Sequence, residues 1–379
     1  MAALNAWTVR PEDYHQAGDT DWTAAFRKLF ADVGKRLATD AGGSVPVSTV
    51  EVLLTGVYTV SNTIMPAVSG RAQGLTVRGL GKRSSEIVMA GAAPLLVNTD
   101  RWMGVTWYDC SFRSTNKAAD FLHSNCSDIG GAQDWNFVRC EWRGTWGNGI
   151  VLDGPRNSNC NSEWVFDRCT VTGSYENAWL WSGRSGYPAQ DQFLNFSLRD
   201  CKVEYQYGTA LRFDKGGSIA ISGGSWILEG TRPDGARSRF IQLAGGSHYD
   251  SVQKLAVRDV RFELRNVTHQ VINSAWSDSQ IVFDGCDDTA LGFEAFSAAL
   301  IAHEYTDPGI VSYRNCALVG KHAYHQTKQP GRSGSGARYI DCTRKNNRTN
   351  ATFIARTVAP GMSPGGVHVQ YVDDGDGIA

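Results

Sequence analysis

A short phrase recurs along this chain with a period near thirty residues: an apolar strand, a polar residue, then cysteine or a substitute for it. It reads Thr76-Val77-Arg78-Gly79-Leu80, then Trp107-Tyr108-Asp109-Cys110, Phe137-Val138-Arg139-Cys140 and Phe166-Asp167-Arg168-Cys169. It continues as Leu198-Arg199-Asp200-Cys201, Ser222-Gly223-Gly224-Ser225, Val257-Arg258-Asp259-Val260 and Phe283-Asp284-Gly285-Cys286, ending with Tyr313-Arg314-Asn315-Cys316 and Tyr339-Ile340-Asp341-Cys342. The steps between the last residues of successive copies are 30, 30, 29, 32, 24, 35, 26, 30 and 26. A unit of this size cannot bury its own apolar face and must stack on the next, so the chain reads as a solenoid.

The stacked element is strand, not helix. Apolar and polar residues alternate over four to six positions, and Gly, Asn, Asp and Ser separate the runs. Each period holds a second run of the same kind: Gly149 to Asp153, Ala178 to Ser182, Ala210 to Asp214 and Phe240 to Ala244. Several short strands per period describe an all-β fold, a single-stranded right-handed parallel β-helix of about ten turns. Seven of the nine cysteines (Cys110, Cys140, Cys169, Cys201, Cys286, Cys316, Cys342) then occupy one point of successive turns. They are expected as a reduced interior ladder, because a thiol is a small soft hydrophobe suited to a tight corner. A disulfide framework or zinc site is the rival reading, against which stand the absence of any CxxC pair and the length of the chain.

At the N-terminus Asp19-Thr20-Asp21 offers a helix cap, and Trp22, Phe26, Leu29, Phe30, Val33 and Leu37 follow at helical spacing. An amphipathic helix here would cover the open edge of the first turn. The chain divides into an arm and capping helix (1–44), the β-helix (45–345) and a C-terminal tail with a short strand (346–379). Long excursions are expected near 114–134, 154–163, 183–191, 230–238 and 317–337.

With 37 basic against 38 acidic side chains, neither nucleic acid nor an anionic membrane is an expected partner. No apolar run reaches the length of a membrane span, and the first residues lack the pattern of a signal peptide, so synthesis in a cytoplasm is expected. No cofactor and no metal is expected. His322-Ala323-Tyr324-His325 has ligand spacing but lies in an apparent loop without a carboxylate, and Asp373-Asp374-Gly375-Asp376-Gly377 reads as a solvated acidic tail.

Gly18-Asp19-Thr20-Asp21-Trp22-Thr23-Ala24-Ala25-Phe26 resembles the opening of the pectate-lyase-like β-helix superfamily. Leu54-Thr55-Gly56-Val57-Tyr58 resembles its Gly-x-Tyr strand, and Leu75-Thr76-Val77-Arg78-Gly79-Leu80-Gly81 its Val-x-Gly-x-Gly strand. The resemblance implies the same fold and a set of polymer-directed functions. Members include polysaccharide lyases, glycoside hydrolases, and phage tailspikes and minor tail proteins that recognise or cut bacterial surface glycans. A cytoplasmically made β-helix fits the phage group better than the secreted enzymes. The implied partners are a bacterial surface polysaccharide and other tail proteins, in a homotrimer, and the implied location is the tail of the virion. The signatures of the polygalacturonase branch are not reproduced: Asn98-Thr99-Asp100 and Asp287-Asp288 lie many turns apart, and neither Gly-His-Gly nor Arg-x-Lys occurs.

A local candidate comes from aligning the second strand set. With Ile150, Leu152, Trp179, Trp181, Leu211, Phe213, Ile241 and Leu243 inward, the outward column holds Asp153, Ser182, Asp214 and Ala244, beside Val151, Leu180, Arg212 and Gln242. Asp153 and Asp214 would sit two turns, or ~10 Å, apart, near the ~6.5–9.5 Å of inverting glycosidase carboxylates. Arg212 would position an acidic sugar, and Trp146, Tyr187, Tyr205 and Tyr207 would stack on sugar rings. Two readings of the Asp pair stand, catalysis or plain strand ends. For the chain as a whole three readings stand in order: a phage tail protein that binds a surface glycan, with or without cleaving it, a polysaccharide hydrolase or lyase, and a structural virion protein. Val151 and Leu180, apolar on an outward column, are the residues that suggest a subunit interface.

Overall fold

A computed structural model describes residues 6–39, 49–65, 71–98, 102–125, 133–153, 161–185, 194–244, 254–277, 279–293, 299–327, 336–345, 353–360, 366–369 and 372–373. Within them the chain winds as a right-handed parallel β-helix. The first sheet has 13 strands, from Ala6–Val9 and Thr49–Leu54 up to Gly366–Val369, and the second has 13, from Val57–Val60 to Val372–Asp373. The third sheet has 10 strands, from Leu96–Asn98 to Ile354–Val358.

The recurring phrase is the corner between the first and second sheets. The residue before the ladder position is left-handed, with φ of 54° at Asp109, 50° at Asp200, 54° at Asp259, 50° at Asn315 and 51° at Asp341. Asp, Asn and Gly tolerate that region best, which explains the polar residue of the repeat. Arg139 and Arg168 adopt it too (φ 54° and 51°), and Arg139 is anchored by two 2.6 Å hydrogen bonds to the Asp109 carboxylate. Each corner N–H donates to a carbonyl of the following turn, as in Asp109 to Val138 (3.1 Å) and Arg139 to Asp167 (2.8 Å). One residue thus turns the chain, and the next side chain points inward.

That side chain is the cysteine. All seven ladder cysteines are free and buried. The Cys110 and Cys140 sulfurs lie 3.8 Å apart, far beyond the ~2.05 Å of a disulfide. The Cys140 and Cys169 thiols donate to carbonyls of the turn below, Trp107 at 3.4 Å and Phe137 at 3.2 Å. Burial pushes both thiols up, so they stay protonated. Cys126 and Cys160 lie outside the described residues.

Two copies of the phrase slip by comparison with the sequence reading. Ser85, not Leu80, occupies the ladder position of the first copy: it is fully buried and donates to the Leu54 carbonyl at 2.6 Å, whereas Leu80 is 65% exposed. Gly224 replaces Ser225, because Ser225 pairs with Lys202, the residue after Cys201. Two expected excursions also contain third-sheet strands, Asp120–Asn125 and Lys321–Gln326.

The helix Thr23–Leu37 caps the coil as its amphipathic pattern predicts. It buries Ala25, Phe26, Leu29, Phe30, Val33 and Leu37, with Phe26 edge-on to Tyr58 (5.3 Å) and Phe30 edge-on to Trp102 (6.1 Å). Asp21 accepts the Thr23 N–H at 2.8 Å, and the Trp22 N–H donates to Thr59 of the first turn at 2.9 Å. Ala6–Val9, expected only as an arm, adds a parallel strand to the first sheet. Strand pairing also runs past 345, through Ile354–Val358, Gly366–Val369 and Val372–Asp373.

Candidate functional site

The outward face of the third sheet carries a polar strip whose register is set by strand pairing. Val151, Trp181, Arg212, Gln242 and Asn273 occupy one column, followed by Asn273 pairing with Glu304. Thr209, Arg239 and Gln270 form a second column on the same face. At one end Asp120 accepts the N–H (2.6 Å) and side-chain amide (2.9 Å) of Asn148, and it also holds His123. From Asp120 to the strand of Glu304 the strip crosses six strand spacings, ~29 Å.

The centre of the strip is a compact trio. The Trp181 indole N–H donates to Asp214 at 2.7 Å, Arg212 donates to the same carboxylate at 2.9–3.1 Å, and the guanidinium lies 3.9 Å from the Trp181 ring centroid. Arg212 and Asp214 keep 29% and 18% of their side-chain surface exposed, so a solute can reach the trio. Next to it Arg239 donates to Gln270 (2.7 Å) and Gln242 (3.3 Å), while Gln270 and Asn273 donate to Glu304 at 2.9 and 2.7 Å. Burial alone would raise the Glu304 pKa, but the two amides and nearby His325 outweigh it and hold this carboxyl below its ordinary value. The chemistry offered is a row of amide, carboxylate and guanidinium groups with one indole.

The candidates read from the sequence are only partly brought together. Asp214 and Arg212 meet as expected. Asp153 stands at the end of its strand, where Ser185 binds it through its N–H (3.1 Å) and hydroxyl (2.6 Å). Trp146 is not a surface residue: it is fully buried, donates to the Arg143 carbonyl at 2.9 Å and packs edge-on against Phe121. Tyr205 is likewise buried, its hydroxyl on the Arg239 carbonyl. Tyr207 is half-buried in a separate group, bonded to Glu176 at 2.9 Å with Arg232 beside its ring. Tyr187 lies outside the described residues.

The phase of the strand Ala178–Ser182 also differs from the sequence reading. Leu180 pairs with Ile150 and Leu211 and is buried, Ser182 is buried with its hydroxyl on the Lys215 carbonyl, and Trp181 faces out. The cause is a pair of successive inward residues where the third sheet begins: Trp179 and Leu180, Ala210 and Leu211, Phe240 and Ile241 are all buried. Strict alternation from Trp179 therefore predicts the wrong face for everything after it. Val151 is only 1% exposed, so neither apolar residue of the supposed interface column presents an open surface. His322 and His325 also part company: His322 points into the core, while His325 reaches Glu304 on the outer face at 3.3 Å.

No protein-family model matches this sequence, and no curated protein does. Among solved structures the chain is similar to tailspike protein 2 of the Escherichia coli O157:H7 bacteriophage CAB120, at 11% identity over 90% of this chain and 42% of that one, with a TM-score of 0.46. It is similar to the catalytic domain of a GH87 α-1,3-glucanase, at 12% identity over 96% of this chain and 69% of that one, with a TM-score of 0.48. It is also similar to the A-module of the Azotobacter vinelandii mannuronan C-5 epimerase AlgE6, at 12% identity over 95% of this chain and 98% of that one, with a TM-score of 0.40.

Proposed function

We propose that this chain is a phage tail component that binds a bacterial surface polysaccharide along the outer face of its third sheet, without cutting it. The observation that carries the reading is the Trp181–Arg212–Asp214 trio in the middle of a long polar strip. A polysaccharide is an extended polymer with hydroxyls on its edges and apolar ring faces, so it suits a groove with amides and carboxylates in rows and an indole among them. Arg212 adds a bidentate donor for an acidic sugar. The opening motifs at Gly18–Phe26, Leu54–Tyr58 and Leu75–Gly81 are those of a β-helix superfamily that includes phage tail proteins, and they bear on the fold more than on the function.

Binding is favoured over cleavage by the state of the carboxylates. A glycosidase needs one carboxyl to donate a proton and another to activate water or attack the sugar. Here both Asp214 oxygens accept from Arg212, one of them also from Trp181, and Asp153 accepts from Ser185. Adsorption of the purified protein to host cells and to extracted surface polysaccharide tests this. Trp181→Ala and Arg212→Ala are expected to weaken adsorption about tenfold or more, with no reducing ends released by any form. Release of reducing ends by the wild type, abolished in Asp153→Asn or Asp214→Asn, would replace binding with hydrolysis. Unchanged adsorption in all four variants would move the site to another face.

A further inference from the structure

The interior of the last turns departs from the rest of the core. Along the second sheet, the inward position two residues after each ladder position holds Phe112, Trp142, Val171, Val203, Trp226 and Phe262, and then Asp288. Asp288 is 1% exposed and meets His303 and His322, both fully buried, which project from adjacent strands of the third sheet. The His303 and His322 rings stack with centroids 4.2 Å apart. One potential ligand atom from each of the three residues lies within 4.8 Å of the others.

Among the described residues, two polar atoms in this cluster have no partner. His303 Nε2 sits 2.8 Å from Asp288 Oδ2, but Asp288 Oδ1 and His322 Nε2 accept from and donate to nothing among the described residues. An orphaned carboxylate oxygen or imidazole nitrogen in a core costs ~1–3 kcal/mol or more. The far sides of both rings, by contrast, are carefully held. Tyr313 hydroxyl lies 3.0 Å from His303 Nδ1 and Tyr339 hydroxyl 2.9 Å from His322 Nδ1, and these hydroxyls are bonded in turn to Tyr305 and Tyr324. Phe283, Tyr313 and Tyr339 form one stacked ladder (5.2 and 4.9 Å), so hydroxyls enter it at the turns where the histidines stand.

We propose that Asp288, His303 and His322 bind a divalent first-row transition ion, Zn2+ being the best match, as a structural centre inside the C-terminal turns. Imidazole nitrogens with one carboxylate oxygen are a ligand set for such ions. The tyrosines play the outer role usual at metal-bound histidine, engaging Nδ1 so that Nε2 is presented to the ion. To offer Nε2 to the ion, His303 would carry its proton on Nδ1 and donate it to the Tyr313 hydroxyl, which would donate in turn to Tyr305. The ion would satisfy both orphaned atoms at once. This centre is independent of the outer face of the third sheet and of any glycan.

The test uses the full chain. Protein purified without chelator is dialysed and analysed for metals, then unfolded with chelator, refolded and titrated with Co2+ as a spectroscopic probe. A single ion per chain and the visible d–d bands of a low-symmetry Co2+ site, displaced by Zn2+, are expected. Asp288→Asn and His322→Gln should lose the bands, and Tyr339→Phe, which keeps every ligand, should weaken Co2+ binding by roughly 10–100-fold. Because the wild-type titration needs no variant to fold, it decides alone: absence of Co2+ and Zn2+ binding by the refolded wild type overturns the proposal. So does binding that Asp288→Asn leaves unchanged, which would put the ion elsewhere.

Discussion

The central turns and the C-terminal turns fill the same interior with opposite materials. Between Trp107 and Leu180 the core is largely aromatic. Phe112, Phe121, Phe137, Trp142, Phe166 and Trp179 contact one another at ring separations of 4.3–6.4 Å. Between Phe283 and Tyr339 the core holds a carboxylate, two imidazoles and four phenols linked by hydrogen bonds. Among the described residues, both regions leave buried polar atoms unpaired, but of different kinds. The central ones are indole N–H groups, as at Trp107, Trp142 and Trp179, whereas the C-terminal ones belong to Asp288 and His322. An indole carries one weak donor on a large apolar body, and its burial compensates. A carboxylate has no such body and needs a partner of opposite charge. One backbone repeat therefore accepts either a self-sufficient core or one that depends on polar partners.

The largest effects should come from breaking each core in turn. Trp142→Ala removes the hub of the aromatic cluster and is expected to cost ~3–5 kcal/mol, read from urea midpoints. In chelated protein His303→Ala should cost about as much, ~3–5 kcal/mol, because Asp288 is left buried without its imidazole. Replacing Asp288 and His303 together by Leu should recover most of that loss. If the double variant is as unstable as the single one, the polar core is not the weak element described here.

The cysteine ladder runs through both regions, so it sharpens the comparison at the next scale. Cys169→Ser is expected to cost ~1–3 kcal/mol, since a hydroxyl enters a corner built for a thiol. The seven ladder thiols should resist a thiol reagent in the folded protein and react after unfolding without reductant. Persistent disulfides in the unfolded, non-reduced chain would contradict the ladder.

The smallest effect is a pH dependence outside the Asp288–His303–His322 cluster. His269 accepts the Arg265 N–H at its Nδ1 (3.1 Å) and lies 2.7 Å from the Gly230 carbonyl through Nε2, which holds the ring neutral. Burial lowers its pKa in the folded protein, so below about pH 6.5 the unfolded chain takes up the proton first. Stability should be full above that value and decline as pH falls toward the folded pKa. His269→Gln should flatten the denaturation midpoint between about pH 7 and about pH 5.5, and an unchanged slope would remove His269 as its source.

The sequence by itself determined the winding, the ladder and the cap. Those features repeat: a left-handed corner accepts few residues, the thiol after it recurs at Cys110, Cys140 and Cys169, and the helix shows its apolar stripe in six residues. Inwardness at Asp288 was also legible by counting two residues on from Cys286. Its meeting with His303 and His322 was not, because strand stacking brings together residues from separate turns. Tertiary structure alone decided which face Trp181 occupies, since two successive inward residues at Trp179 and Leu180 break the alternation on which a sequence reading depends. It likewise decided that Trp146 and Tyr205 are core. An aromatic beside a loop looks the same in sequence whether it packs inward or faces solvent, and only the stacking of neighbouring turns separates the two.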